Sequence, residues 1–163
     1  MAVVFGCELP EDLWFHVERD VWMALLDDGT VRIGMTDPAQ TRAGKILTVR
    51  VRVGRHVDAA KSLATVESGK WVGPVPAPIP GTVTEANPAV AADPSLINRD
   101  PYGAGWLLRL SPDVPPDRWE SFGILRGKAA WAAYRAKLKA DSLSCTRCAD
   151  AVAEGTDPAR EGS

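Results

Sequence analysis

The stretch Leu63-Ala-Thr-Val-Glu-Ser-Gly-Lys-Trp-Val-Gly-Pro-Val-Pro-Ala-Pro-Ile-Pro-Gly81 decides the fold. Two β-rich runs, 63–68 and 71–75, flank the pair Gly69-Lys70, so the spacing predicts a tight hairpin. Glycine at the first of two central positions suits a type II′ turn, whose positive φ only glycine adopts cheaply. Such a turn lifts Lys70 into solvent from a rigid edge. Lysine there offers a primary amine on a long flexible stem, suited to an amide with a carboxylic acid. The prolines at 74, 76, 78 and 80 cannot donate to a strand ladder, which places that run at sheet edges or corners.

On the N-terminal side of this hairpin, strand signals continue. Val21–Leu26 ends at Asp27-Asp28-Gly29, a hairpin turn signal, and Thr30–Met35 follows. Asp37 as cap, Pro38 at the first helical position and Gln40 closing a capping box predict a short helix that stops at Gly44. In Ile46–Val53, Val49, Val51 and Val53 alternate with Arg50 and Arg52, the period of a strand with one buried face. On the C-terminal side, Gly81–Glu85 runs to Asn87-Pro88, Asp93-Pro94 opens a short helix, and Trp106–Leu110 is the last strand of the series. Many short strands at close spacing predict a mainly β fold, a barrel or sandwich. Trp131, Tyr134 and Leu138 fall at helical spacing, which predicts a helix over about 117–140 laid on that barrel. Residues 1–140 thus read as one domain. Residues 141–163 read as a flexible tail, with 149–163 too polar and Gly/Pro-rich to hold structure.

Composition excludes several classes. A chain of 163 residues, 45% hydrophobic and 25% charged, fits one soluble domain. A net charge of -2 leaves no basic footprint for nucleic acid, and no apolar run is long enough to span a bilayer. The first residues carry no basic segment before their short apolar stretch, so they do not read as a signal peptide. Three cysteines, Cys7, Cys145 and Cys148, argue against a disulfide framework and for a reducing, cytoplasmic setting. Cys145-Thr-Arg-Cys148 has the spacing of a redox pair or half a metal site, but no βαβ pattern surrounds it. His16 and His56 lie far from it in sequence, so no metal site is expected. The bland expectation for these thiols is chemical silence, and Cys7 lacks a local partner.

Taken alone, a lysine at a hairpin tip is solvated decoration. The wider pattern says more. Gly54-Arg-His-Val57, Ser62–Val66, Glu67-Ser68-Gly69-Lys70, Ala77-Pro78, Gly81-Thr-Val83 and Asn87 resemble the lipoyl-bearing hammerhead segment of glycine cleavage system H proteins. Gly34-Met-Thr-Asp-Pro-Ala-Gln40 and Asp100-Pro-Tyr-Gly-Ala-Gly-Trp106 resemble two further blocks of that family, in the right order, so the resemblance spans about 14–112. It implies a flattened β-barrel (a barrel-sandwich hybrid), with the hammerhead at about 54–110 and short peripheral helices. It also implies a carrier that is not itself an enzyme, with lipoate amide-linked to Lys70 and Glu67, Ser68, Gly69 and Trp71 surrounding the arm.

The family usually has an apolar residue before the lysine and a small one after it; here these are Gly69 and Trp71. Its His-Glu-Trp becomes Asp20-Val21-Trp22. The flanks Gly6-Cys-Glu-Leu-Pro-Glu-Asp-Leu13, Ser68-Gly-Lys-Trp-Val-Gly-Pro74 and Cys145-Thr-Arg-Cys-Ala-Asp150 are similar to H-like lipoate-binding proteins of the sulfur-oxidising heterodisulfide-reductase-like system. This resemblance ranks sulfur carriage ahead of aminomethyl carriage in glycine cleavage. The partners implied are a lipoate ligase or transferase, a dihydrolipoamide dehydrogenase, a heterodisulfide-reductase-like complex and sulfurtransferases. A biotin carrier shares the hammerhead but places Met on both sides of its lysine, which is not so here. Two readings of other classes remain open: a small thiol oxidoreductase using Cys145 and Cys148, and an unmodified binding module. Glu67 could instead be an exposed strand charge, and Trp71 an edge-packing aromatic.

Overall fold

The computed structural model of the chain describes residues 1–148. Its strands are β1 (Ala2–Val4), β2 (Cys7–Leu9), β3 (Trp14–His16), β4 (Val21–Leu25), β5 (Val31–Met35), β6 (Ile46–Val51), β7 (His56–Val57), β8 (Ser62–Ser68), β9 (Val72–Pro76), β10 (Gly81–Ala86), β11 (Leu108–Pro112) and β12 (Ile124–Arg126). All pairings are antiparallel. They build a seven-stranded sheet in the order β12-β3-β4-β5-β11-β10-β7, a three-stranded sheet β6-β8-β9 and the hairpin β1-β2. The fold is mainly β, with short peripheral helices and one longer C-terminal helix, as the strand spacing implied.

The period-2 pattern explains how the sheets meet. In β4, Val21 and Met23 face a main core shared with Val31, Ile33, Leu63, Val66, Val83 and Leu110. Trp22, between them, points to the opposite face and joins a second core with Phe15, Leu9, Tyr134 and Leu138. The large sheet is therefore covered on both sides where β3 and β4 run. Gly34 lies opposite Trp22 in the β4–β5 ladder, and a Cβ on it would come within 2.6 Å of the indole ring. That close approach explains the glycine of the Gly34-Met block. The proline-rich run behaves as expected: β9 is an edge strand of the small sheet.

Helix α4 (Gly127–Asp141) supplies the cover for the second core through Ala130, Tyr134 and Leu138. Trp131 is half-buried on its flank and donates its indole N–H to the Leu9 carbonyl at 3.2 Å. The helix is shorter than the 117–140 expected. Residues Pro116–Phe122 form a 3-10 turn and β12 follows. Edge pairing of β12 on β3 overrides local helical preference there.

Helix α1 (Asp37–Ala43) corrects the capping reading. Thr36 is the N-cap, its hydroxyl accepting from the Ala39 N–H, so Asp37 is already helical and Pro38 sits one place further in. Gln40 consequently closes no capping box. Its amide instead donates to the Asp37 carboxylate at 2.9 Å. The helix does stop at Gly44, whose φ of 81° is left-handed and favours glycine. Two short helices complete the set, α2 (Pro88–Ala92), capped by Asn87, and α3 (Leu96–Arg99). Strand β6 ends at Val51, leaving Val53 exposed rather than on the buried face.

The tail departs most from expectation. Cys7, fully buried, forms a disulfide with Cys145, so an odd cysteine count does not exclude a cross-link and Cys7 does have a partner. Residues 142–148 are tied back rather than loose. Thr146 exchanges hydrogen bonds with the Thr41 hydroxyl and its carbonyl accepts from the Gln40 amide. Arg147 bridges Glu8 and Asp37, at 2.6 Å each. The expectation for 149–163 lies outside the described residues.

Candidate functional site

Lys70 follows the end of β8, in the connection Gly69-Lys70-Trp71 to β9. The turn is not the type II′ expected: Gly69 is not among the positive-φ residues, and a Cβ on it would meet open space. Ser68 shapes the turn instead. Its N–H donates to the Trp71 carbonyl at 2.8 Å and its hydroxyl accepts the Lys70 N–H at 3.3 Å. The same hydroxyl donates to the Ala43 carbonyl at 2.5 Å, binding the hairpin to the end of α1. Ser68 is buried, and its role is to fix the turn.

The Lys70 side chain is exposed yet runs back along the protein, its Cε 3.1 Å from where a Cβ on Gly44 would stand. Any residue but glycine at position 44 would thus be strained and would crowd the lysine. Below Gly44, the fully buried Asn98 accepts the Ile46 N–H at 2.8 Å and donates to the Gly44 carbonyl at 2.9 Å and to Gln40 at 3.1 Å. A bulge between Ile46 and Thr48 in the β6–β8 ladder turns Leu47 outward, 51% exposed. The outcome is an open cleft of about 420 Å³ whose lining includes Gly44, Leu47, Lys70, Thr146 and Cys148. Glycine 44, Leu47 and Asn98 gave no functional signal in the sequence. The helix stop at Gly44 was legible; that Lys70 would lie across it was not.

The other candidates separate. Glu67 is an exposed strand charge accepting a hydrogen bond from its cross-strand partner Thr48 at 3.1 Å. Its carboxylate borders a second cleft with Arg50, Arg52 and Arg55 on the outer face of the small sheet. Trp71 is 38% exposed and its ring packs against Gly73, where a Cβ would clash with it. It does not line the Lys70 cleft. Trp71 and Val72 form an apolar edge beside it.

Cys145 and Cys148 are not paired with each other: Cys145 is held by Cys7, and Cys148 is free. The Cys148 thiol donates to the Gln40 and Thr41 carbonyls, 3.5 and 3.7 Å away, at the end of α1. Among the described residues no group of three or more His, Cys, Asp and Glu side chains gathers as metal ligands would. His56 sits at the surface, where its hydrogen bond to Asp113 raises its pKa, and takes no part in the cleft. Asp37, beneath the tail, is buried, which raises its pKa. The Glu8 N–H, the Gln40 amide and the Arg147 guanidinium oppose that rise.

The geometry fits a covalently attached arm: an exposed primary amine on a well-fixed turn, beside a cleft that could receive a flexible acyl chain. Residues 14–130 match the glycine cleavage H-protein family. The chain is 41% identical over 145 residues to glycine cleavage system H protein 3 of Aquifex aeolicus, covering 88% of this chain and 90% of that one. It is also 41% identical over 150 residues to probable glycine cleavage system H protein 2 of Saccharolobus solfataricus, covering 90% and 99%. The crystal structure of a glycine cleavage system H protein from Mycobacterium marinum superposes with a TM-score of 0.65 at 30% identity, covering 83% of this chain and all of that one. Proteins of this family carry lipoate covalently on a lysine and act as carrier subunits. The chain belongs to the glycine cleavage H-protein family.

Proposed function

We propose that Lys70 is the lipoylated residue and that the chain is a carrier serving partner enzymes, with no turnover of its own. The observation that carries this reading is the placement of Lys70: exposed, on a turn fixed by Ser68, and bordering the 420 Å³ cleft. Once bound, the dithiolane supplies thiol–disulfide and acyl-carrier chemistry. The chain's residues do the rest. Ser68 and Asn98 hold the turn and the Gly44 floor, Leu47 offers an apolar rim to the arm, and Trp71 with Val72 marks an edge against which a partner can dock.

For the cargo, the names of the relatives favour the aminomethyl group of glycine cleavage, the reading the flanks ranked second. Its partners are a lipoate ligase or transferase, a dihydrolipoamide dehydrogenase and the glycine decarboxylation enzymes, in a cytoplasmic setting. Sulfur carriage to a heterodisulfide-reductase-like complex is the second reading. Two observations favour it: a free thiol shares the cleft with Lys70, and a bulky Trp71 follows the lysine where the family has a small residue. A bulky neighbour is a common means of discriminating between partners.

Co-expression with a lipoate ligase and intact mass measurement tests the site. The lipoyl increment is expected in the parent and not in Lys70→Arg; an increment that persists, or maps to Lys45 or Lys61, refutes it. Glycine-dependent turnover with purified partner enzymes supports the aminomethyl reading. Sulfur loading from a persulfide or thiosulfate donor, seen by mass spectrometry without such turnover, supports the other.

A further inference from the structure

The cleft beside Lys70 contains a nucleophile that the carrier role does not use. Cys148 is the free cysteine of the chain, half-buried, and its side chain lines the same 420 Å³ cleft as the lysine. It stands on an anchored segment: the Cys7–Cys145 disulfide precedes it, Thr146 is bonded to Thr41 and Gln40, and Arg147 is paired with Glu8 and Asp37. The thiol is also oriented, donating to two carbonyls at the end of α1, the helix whose terminal Gly44 carries the Lys70 side chain. A group attached to Lys70 and the Cys148 thiol thus share one open cleft.

We propose that Cys148 is an intramolecular exchange thiol for the lipoyl arm. The inference rests on the reading of Lys70 as the attachment site, and is independent of which cargo the arm carries. Cys148 gives up its proton and its Sγ attacks one sulfur of the oxidised dithiolane. The ring S–S bond breaks, a Sγ–S bond to the arm forms, and the displaced ring sulfur takes up the proton as a thiol. One disulfide replaces another, so no oxidant or reductant is consumed. The small ring strains its S–S bond, which favours opening. Tethering raises the local concentration of the arm at Cys148 to the order of millimolar. The product holds one arm sulfur in the cleft and presents the other as a single free thiol. A carrier of this kind can be loaded at one sulfur while the second is masked.

The test uses the full-length lipoylated protein in its oxidised form. Free thiols are trapped with N-ethylmaleimide, the protein is digested without reductant, and peptides are sequenced by mass spectrometry. The expected result is a lipoylated Lys70 peptide disulfide-linked to the Cys148 peptide, with maleimide on the remaining arm sulfur and a monomeric intact mass. In Cys148→Ser and Cys148→Ala, which offer no sulfur at position 148, the linked species should be lost and the dithiolane stay intact, with the Cys7–Cys145 peptide unchanged. Lipoylated protein with Cys148 fully alkylated and the dithiolane intact overturns the proposal, as does Cys148 found linked to Cys7 or Cys145. A chain that carries no lipoyl group on Lys70 removes the attachment reading first, and the intact mass reports that separately.

Discussion

Breaking the Cys7–Cys145 disulfide should cost this protein a large part of its stability. The bond joins residues 138 apart in sequence, so it closes nearly the whole described chain into one loop. Loop-closure entropy for that length sets a ceiling of about 5 kcal/mol, and measured values for native disulfides more often fall near 2–4 kcal/mol. For a chain of this size each kcal/mol moves the melting temperature by roughly 2–4 °C, so a loss of roughly 5–15 °C is expected. The non-covalent ties of the tail soften the effect: Thr146 and Arg147 keep their bonds to α1 and Glu8 when the sulfurs part. The perturbation is made twice, by reduction and by the double substitution Cys7→Ala with Cys145→Ala, and followed by calorimetry. Thiol counting on the unlipoylated chain in denaturant without reductant provides a direct check, because only Cys148 should react. Three reactive thiols, or equal melting temperatures with and without reductant, would refute the reasoning.

Three further outcomes follow from single side chains. Asn98→Ala leaves the buried Ile46 N–H without its partner and strips one bond from the part-buried Gly44 carbonyl, a loss of about 1–3 kcal/mol, read as a lower denaturant midpoint at unchanged m-value; a change below about half a kcal/mol would sink it. Tyr134→Ala removes a fully buried ring from the second core and should cost about 3–5 kcal/mol, more than Trp131→Ala on the half-exposed flank of α4; the reverse order would show that α4 packs differently. His16 has its pKa lowered from 6.5 by burial first, then by the nearby Arg19 charge, so the folded chain prefers it neutral. The unfolded chain therefore binds the proton first, and stability falls as pH drops through 6.5 towards the folded value. His56 is shifted upward by Asp113 and slopes the opposite way, so the measurement belongs in a His56→Gln background. There, His16→Asn should flatten the acid-side loss, and an unchanged slope would count against the assignment.

Much of the fold was legible because its signals are local. The β-rich run Val21–Leu26, the Asp27-Asp28-Gly29 turn, the helix stop at Gly44 and the proline-rich edge strand depend on residues a few places apart, and each appears in the structure within a residue or two. Lys70 at a turn was legible for the same reason. Where the sequence misled, a competitor from elsewhere in the chain won. Thr36 takes the cap that Asp37 was expected to hold, and Asp37 instead accepts from the Glu8 N–H and pairs with Arg147, 110 residues away. Residues 117–126 abandon the helix because β12 can complete an edge beside β3.

By itself the sequence determined a mainly β chain with a lysine displayed between two strands, since hydrophobic period and turn chemistry are written in consecutive residues. Tertiary structure alone decided what that lysine faces. Ser68 binding Ala43, Gly44 beneath the side chain, the bulge at Leu47, and the Cys7–Cys145 bond that delivers Cys148 to the same cleft are contacts between distant segments. No spacing rule encodes such contacts, because they form only when the two cores close and bring the ends of the chain together.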